Sequence, residues 1–281
     1  MMNYILPASG FTIFGLEIKF YGVIMALSML AGIIVACILA KKKLIKSDDI
    51  LLLALIVLPF SVIGARAYYC IFYNHIYSFQ EFFNIRQGGM AIYGGVIGGF
   101  LGMILFCLIK KNFKALGTIC DIVVPCLILG QAMGRWGNFF NQEAYGNLIT
   151  NPNFQWFPFG VYIESSNFTA EASQQIAAAG MSGVAGAWFN ATFFYESMWN
   201  FAGFALLLVV FYKTKLTLTT TGAYLTWYGL GRMLIEGMRT DSLYVGSTNI
   251  RVSQLLSCIL LVVGVTILVV NIIRRVKKRN D

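Results

Sequence analysis

Residues 134–146 read GRWGNFFNQEAYG, with Arg135, Asn138, Asn141, Gln142 and Glu143 set among Gly134, Gly137 and Gly146. They follow DIVVPCLILGQAM (121–133), an apolar segment of membrane type. An arginine at the edge of such a segment costs roughly 2.5–3.5 kcal/mol unless it is paired or wet. Three glycines leave the backbone free to turn and let a ligand approach closely. A cation, amides and a carboxylate on a pliable backbone at membrane depth suit an anionic lipid. The plainer alternative is an interfacial helix end with snorkelling polar side chains.

A second polar group lies in AYLTWYGLGRMLIEGMRTDS (223–242), where Tyr228, Arg232, Glu236 and Arg239 follow at steps of four, four and three. At 3.6 residues per turn these share one helix face. A stripe of this kind cannot face lipid cheaply, so it faces a bundle interior or a wet cavity. An internal Arg232–Glu236 ion pair that only braces the bundle is the structural alternative.

The elements that must position these groups are membrane spans. The chain has 281 residues, 58% hydrophobic and only 12% charged, far from the quarter charged that soluble domains carry. With about 20 apolar residues needed per crossing, seven spans are predicted, roughly 20–40, 50–72, 90–109, 117–137, 193–212, 222–238 and 252–273. The expectation is an all-α polytopic bundle over 1–281, one integral membrane domain with an outer-face loop or subdomain at about 139–192. The N-terminus has no basic signal-peptide flank, and its first apolar helix is long enough to stay as a span.

The net charge of +9 could suggest nucleic acid, but position says otherwise. Lys and Arg cluster at 41–46, 110–114, 213–215 and 274–279, just past apolar runs. That bias puts the N-terminus outside and the C-terminus in the cytoplasm. The six cysteines lie in apolar segments without CxxC spacing and read as small buried hydrophobes. The sole histidine, His75, falls in a short external loop and reads as solvated.

On this topology the polar groups converge. Tyr21 and Tyr93 start spans one and three near the outer face, and Arg66, Arg135 and Arg232 lie toward the outer ends of spans two, four and six. Glu196 opens span five beside Tyr195, and Glu143 follows span four. Taken singly, Tyr21 and Tyr93 also suit an aromatic-belt anchor. The segment 87–102, QGGMAIYGGVIGGFLG, offers a small-residue face for close helix packing. Residues 147–190 form the longest non-spanning stretch, aromatic in its first half and suited to rest on the interface. Arginines in excess over carboxylates ask for an anion, and the guanidinium fork matches a phosphate bidentately.

The pattern G-R-x-G-N-F-x-N-x-E-x-x-G at 134–146 resembles the signature of the bacterial prolipoprotein diacylglyceryl transferases. So do the Tyr21-Gly22 start, GGMAIYGG, Tyr195-Glu196 and YGLGRMLIEGMR, so the likeness covers nearly the whole chain. It implies transfer of the diacylglyceryl group of phosphatidylglycerol to the lipobox cysteine of a prolipoprotein signal peptide. A thioether forms, glycerol phosphate leaves, and no cofactor or metal is needed. It further implies a multi-pass protein of the bacterial plasma membrane with its active site toward the outer leaflet. Arg135 and Arg232 would hold the phosphate, with Asn138, Glu143, Gly146, Tyr21, Tyr228 and Glu236 completing the site. Arg239, Arg66 and Glu196 join the lipid-binding set on the convergence argument, and Tyr93 the catalytic one.

One departure concerns the base. Many members carry a histidine where this chain has Tyr93, and some carry one at Asn190. A tyrosine of pKa about 10 is a poor base at neutral pH. Tyr93 is therefore expected to position the lipid or donate a hydrogen bond, leaving thiol activation to the cationic pocket or a carboxylate. Two rival classes remain open: a transporter of an anionic solute, and an intramembrane protease suggested by Gly180-Met181-Ser182-Gly183.

Overall fold

The computed structural model describes residues 9–72, 82–83, 89–181, 183–240 and 251–280. His75, Arg86, Gly88, Ser182 and the side chains of Lys278 and Arg279 lie outside the described residues. In chain order the elements are β1 (Gly10–Ile13), β2 (Leu16–Lys19), α1 (Phe20–Lys42), α2 (Ser47–Phe72), α3 (Ile92–Ile109), α4 (Leu116–Phe140), β3 (Gly160–Glu164), α5 (Ala170–Ala178), β4 (Gly186–Asn190), α6 (Thr192–Lys213), α7 (Thr219–Glu236) and α8 (Val252–Asn280).

Apolar runs of bilayer length become helices because hydrocarbon offers no partner for an open backbone. Among the described residues six helices are long and apolar enough to cross a membrane: Phe20–Lys42, Ser47–Phe72, Ile92–Ile109, Phe113–Phe140, Thr192–Lys213 and Val252–Lys277. The sixth expected span, 222–238, is also a helix, α7, but is not one of the six. Its threonines, Arg232 and Glu236 lower its apolarity. Two short antiparallel ribbons, β1–β2 and β3–β4, accompany the helices.

The chain divides into two compact units, residues 33–123 and residues 1–32 with 124–281, the boundaries falling inside α1 and α4. In the first unit α2 and α3 pack through the expected small-residue face. A Cβ at Gly94 would lie 2.2 Å from the Gly64 carbonyl oxygen, and one at Gly98 2.2 Å from that of Phe60. With neither side chain present the backbones touch, and Ser61 Oγ donates to the Gly95 carbonyl at 2.9 Å. Cys70 and Cys107 are buried here, as expected.

The second unit opens with the β1–β2 hairpin, closed by Phe14 and Gly15, both at positive φ (49° and 78°), the conformation that two-residue hairpin turns require. Stretch 141–190 is a folded piece with its own core. Tyr145, Val161, Ile163, Ala172, Ile176, Ala187, Phe189 and Phe193 pack together, with β3 paired to β4 from Gly160↔Asn190 to Glu164↔Gly186. Helices α7 and α8 meet at Gly222, Gly229 and Gly264; a Cβ at Gly264 would lie 2.6 Å from the Thr226 nitrogen. Cys258 on α8 is exposed, unlike the burial expected of every cysteine, because α8 turns an apolar face outward.

Candidate active site

The centre of the second unit is Glu196, 4% exposed, in the second turn of α6. Three guanidinium groups reach it. Arg135 Nη2, from α4, lies 2.8 Å from Oε2. Arg232 Nη1, from α7, donates to Oε1 at 3.0 Å and Oε2 at 3.1 Å. Arg239 Nη1 donates to Oε1 at 2.9 Å. Arg232 Nη2 also pairs with Glu236, one turn on along α7 and fully buried. Three arginines and two carboxylates leave one positive charge over, in a setting where Coulomb forces are weakly screened.

Local sequence explains each placement. The apolar run drives α4 unbroken through Phe140, so Gly134 and Gly137 sit inside a helix and not in the turn expected of them. Gly137 instead leaves room for the Tyr21 ring, which a Cβ there would meet at 2.5 Å. The chain turns after the helix, where Gln142 and Ala144 take positive φ (52° and 56°). Helix α7 stops at Glu236 with Gly237 as its cap. Arg239 therefore lies in the following turn, off the expected helical stripe, and its N–H returns to the Glu236 carbonyl at 3.2 Å.

Contacts beside the charges fix their spacing. Trp136 Nε1 donates to Ser197 Oγ at 3.1 Å, and Ser197 Oγ to the Ala132 carbonyl at 2.8 Å, so the neighbours of Arg135 and Glu196 are tied together. Trp199 of α6 and Trp227 of α7 stack at 4.4 Å, and each indole N–H donates to the other's carbonyl, at 3.2 and 3.0 Å. Gly231 and Gly203 make room for those indoles: a Cβ would lie 2.1 Å from Trp199 Nε1 or 2.4 Å from Trp227 Nε1. This reciprocal clasp sets the register of α6 against α7, and hence of Glu196 against Arg232.

The other expected residues have these places. Gly146 forms a β-bridge with Arg239, and its N–H donates to the Asn190 carbonyl at 2.9 Å. A Cβ there would lie within 2.9 Å of Thr192, Asn190 and Met238. Asn138 is half-buried in α4, its carbonyl accepting the Glu143 N–H at 3.0 Å. Glu143 is exposed and accepts from Asn141 Nδ2 at 3.1 Å, apart from the ion pairs on Glu196. Tyr228 stacks on Tyr224 at 5.6 Å, and Tyr224 accepts from Gln131 Nε2 at 3.0 Å. Arg66 and Tyr93 belong to the first unit. Arg66 Nε donates to the Phe82 carbonyl at 2.9 Å and Nη1 to that of Gly89 at 2.8 Å. The Tyr93 ring sits 6.2 Å from that of Tyr68.

Sequence reasoning missed Arg251, whose Nη1 donates to the carbonyls of Glu236 and, at 3.3 Å, Arg239. It also missed Thr192, whose Oγ1 donates to the Ala144 carbonyl at 2.6 Å, and the Trp136–Ser197 tie. The W-x-x-x-G spacing shared by Trp199–Gly203 and Trp227–Gly231 is the one local signal that could have revealed the clasp.

A family model described as prolipoprotein diacylglyceryl transferase matches residues 9–270. Among similar proteins is phosphatidylglycerol–prolipoprotein diacylglyceryl transferase 1 of Clostridium perfringens, 41% identical over 277 residues, spanning 96% of each chain. Proteins of the same name without the numeral occur in Finegoldia magna, 40% identical over 258 residues (91% of this chain, 92% of the relative), and Clostridium botulinum, 37% over 270 (95% and 98%). With this match over nearly its whole length, the chain belongs to the prolipoprotein diacylglyceryl transferase family.

Proposed function

We propose that this protein moves the diacylglyceryl group of phosphatidylglycerol onto the thiol of a lipobox cysteine in a prolipoprotein signal peptide. The sulfur forms a bond to the terminal glyceryl carbon, the carbon–oxygen bond to phosphate breaks, and glycerol phosphate leaves with the electron pair. The thiol proton passes to the departing glycerol phosphate, whose phosphate gains an anionic oxygen as the carbon–oxygen bond breaks. The observation that carries this reading is the gathering of Arg135 from α4 and of Arg232 and Arg239 from α7 and the turn after it around one buried carboxylate.

The roles follow from how each group is held. Glu196 acts as the hub that keeps three cations close together. Among the described residues Arg135 makes one ion pair, through Nη2, so its remaining donors are available to a phosphate. Arg232 and Arg239 add positive charge where the leaving oxygen gains negative charge, and fixed charges so aimed are the chief source of rate acceleration in sites of this kind. Glu236 orients Arg232. Gly146 and Thr192 hold the backbone that carries Arg239 and the end of the motif. Tyr21, Asn138, Tyr228 and the exposed Glu143 line the approach. The thiol is activated by the cationic pocket.

We further propose that α7 is a seventh span, with the N-terminus outside and the C-terminus in the cytoplasm of a bacterial plasma membrane. Lys41–Lys43, Lys110–Lys111, Lys213 and the 274–279 run all lie at the ends of α1, α3, α6 and α8. Glu196 lies at the opposite end of α6, which supports a site toward the outer leaflet. The relatives are named as transferases, and nothing favours the anionic-solute transporter. The protease reading has its serine outside the described residues and has gained no support.

Purified protein in phosphatidylglycerol vesicles with a lipobox peptide should yield a peptide heavier by one diacylglyceryl group, thioether-linked on mass spectrometry. Arg135→Ala should lower turnover by on the order of 10²–10³-fold while leaving the thermal transition in place. Arg135→Lys keeps the charge but loses the fork and should be nearly as damaging. Unchanged turnover in Arg135→Ala would reject the assignment.

A further inference from the structure

The reaction has two substrates, and the arginine network holds the anionic one and reaches only the thiol of the other. A polar cavity of about 340 Å³ lies in the same unit, lined by Ser9, Lys19, Phe140, Asn141, Gln142, Glu164 and Asn167. Three pieces of chain build it. The β1–β2 hairpin is held to the end of α4 by rings, Phe11 to Phe20 at 5.4 Å and Phe20 to Phe140 at 4.9 Å. The end of β3 and the turn at Ser165–Asn167 are held to α4 by Gln142, 6% exposed. Its Oε1 accepts from the Glu164 N–H at 2.8 Å and from Asn167 Nδ2 at 3.2 Å. The Asn167 carbonyl is fixed in turn by Tyr145 Oη at 2.9 Å.

The lining selects its ligand. Asn167 gives one amide hydrogen to Gln142 and Asn141 gives one to Glu143, which leaves each Oδ1 as an acceptor beside one remaining N–H. The Glu164 carboxylate has no ion pair among the described residues, and Lys19 is paired with Glu17. With Lys19 paired to Glu17, the Glu164 carboxylate sets the charge of the lining and disfavours a phosphate, and the polar carboxamides give nothing to an acyl chain. The lining suits a ligand that brings N–H donors. An extended polypeptide main chain offers one such donor per residue.

We infer that this cavity is the acceptor-peptide subsite, taking the main chain just past the reacting cysteine; the inference rests on the transferase reading above. The segment before the cysteine of a signal peptide is apolar and belongs in hydrocarbon, so the polar cavity falls to the residues after it. Asn141 and Gln142 stand two residues and one before Glu143 in the same turn, which ties the subsite to the motif of the lipid site. Glu164 and Asn167 act as specificity-determining residues for the peptide and take no part in the chemistry.

The test uses the full-length protein in phosphatidylglycerol vesicles with two lipobox peptides, one extended past the cysteine and one ending at it as the amide. Asn167→Leu and Glu164→Gln should each raise KM for the extended peptide about fivefold to tenfold, roughly one hydrogen bond. KM for phosphatidylglycerol and kcat should stay as in the wild type. With the truncated peptide, wild type and variants should converge. A rise in KM for the lipid would assign the cavity to the headgroup, and an equal loss with both peptides would reduce it to a structural role. Unchanged KM for the extended peptide would also overturn the inference. Failure of the wild type to modify either peptide would instead sink the transferase reading.

Discussion

The protein buries arginine in two ways. In the unit of residues 33–123, Arg66 donates to two main-chain carbonyls and lies 5.7 Å from the Tyr69 ring centre. All of these partners are neutral. In the other unit Arg135, Arg232 and Arg239 share the Glu196 carboxylate. The first arrangement fastens a loop to a helix: Gly89, at φ 75°, turns its carbonyl onto the guanidinium. The second concentrates cations against their own repulsion, which needs the Glu196 counter-charge to persist. The same residue type thus binds main-chain carbonyls in one unit and clusters on a carboxylate in the other.

The most damaging way to break this contrast is to remove the hub. Glu196→Ala should cost about 3–5 kcal/mol, since it strands buried cations, and should abolish transfer. Thermal unfolding in detergent and the peptide assay would report both, and a stable, active variant would refute the hub. Arg66→Met comes next, with about 1.5–3 kcal/mol of stability lost through its charged hydrogen bonds. Turnover per folded molecule should hold. If instead KM for phosphatidylglycerol rises, Arg66 belongs with the anion receptors and the contrast falls.

A second contrast lies between helix pairs. The α2–α3 pair closes through bare glycines, whereas α6–α7 closes through the Trp199–Trp227 clasp and an ion pair. Gly98→Ala would push a methyl onto the Phe60 carbonyl, a backbone atom that cannot swing away. It should cost about 1–3 kcal/mol of stability and leave the chemistry of folded molecules unchanged. The smallest effect expected is for Tyr93→Phe: about 1 kcal/mol, or fivefold in KM for the lipid. An activity unchanged by that substitution would leave its hydroxyl without a role.

Much of the helical frame could be read beforehand because a run of apolar residues meets the same demand wherever it sits. The α2–α3 interface was legible for a similar reason, since glycines four apart form a stripe on any helix. Chain order misled where local rules compete. Gly134 and Gly137 looked like turn residues, but the apolar periodicity of α4 carries the helix through them. Arg239 looked helical by spacing, but α7 ends three residues earlier.

By itself the sequence determined a polytopic, cation-rich membrane protein with Arg135, Arg232 and Glu236 in two polar stretches of apolar segments, because composition, periodicity and charge placement act locally. Only the tertiary structure decided that Glu196 is the shared partner, that Glu143 stands outside the ion pairs, and that Gly146 shapes the backbone around Arg239. It likewise brought Arg251 to the end of α7 and interlocked two tryptophans 28 residues apart. Such pairings depend on which helices pack and in what register, and side chains distant along the chain acquire a common partner only once that packing is complete.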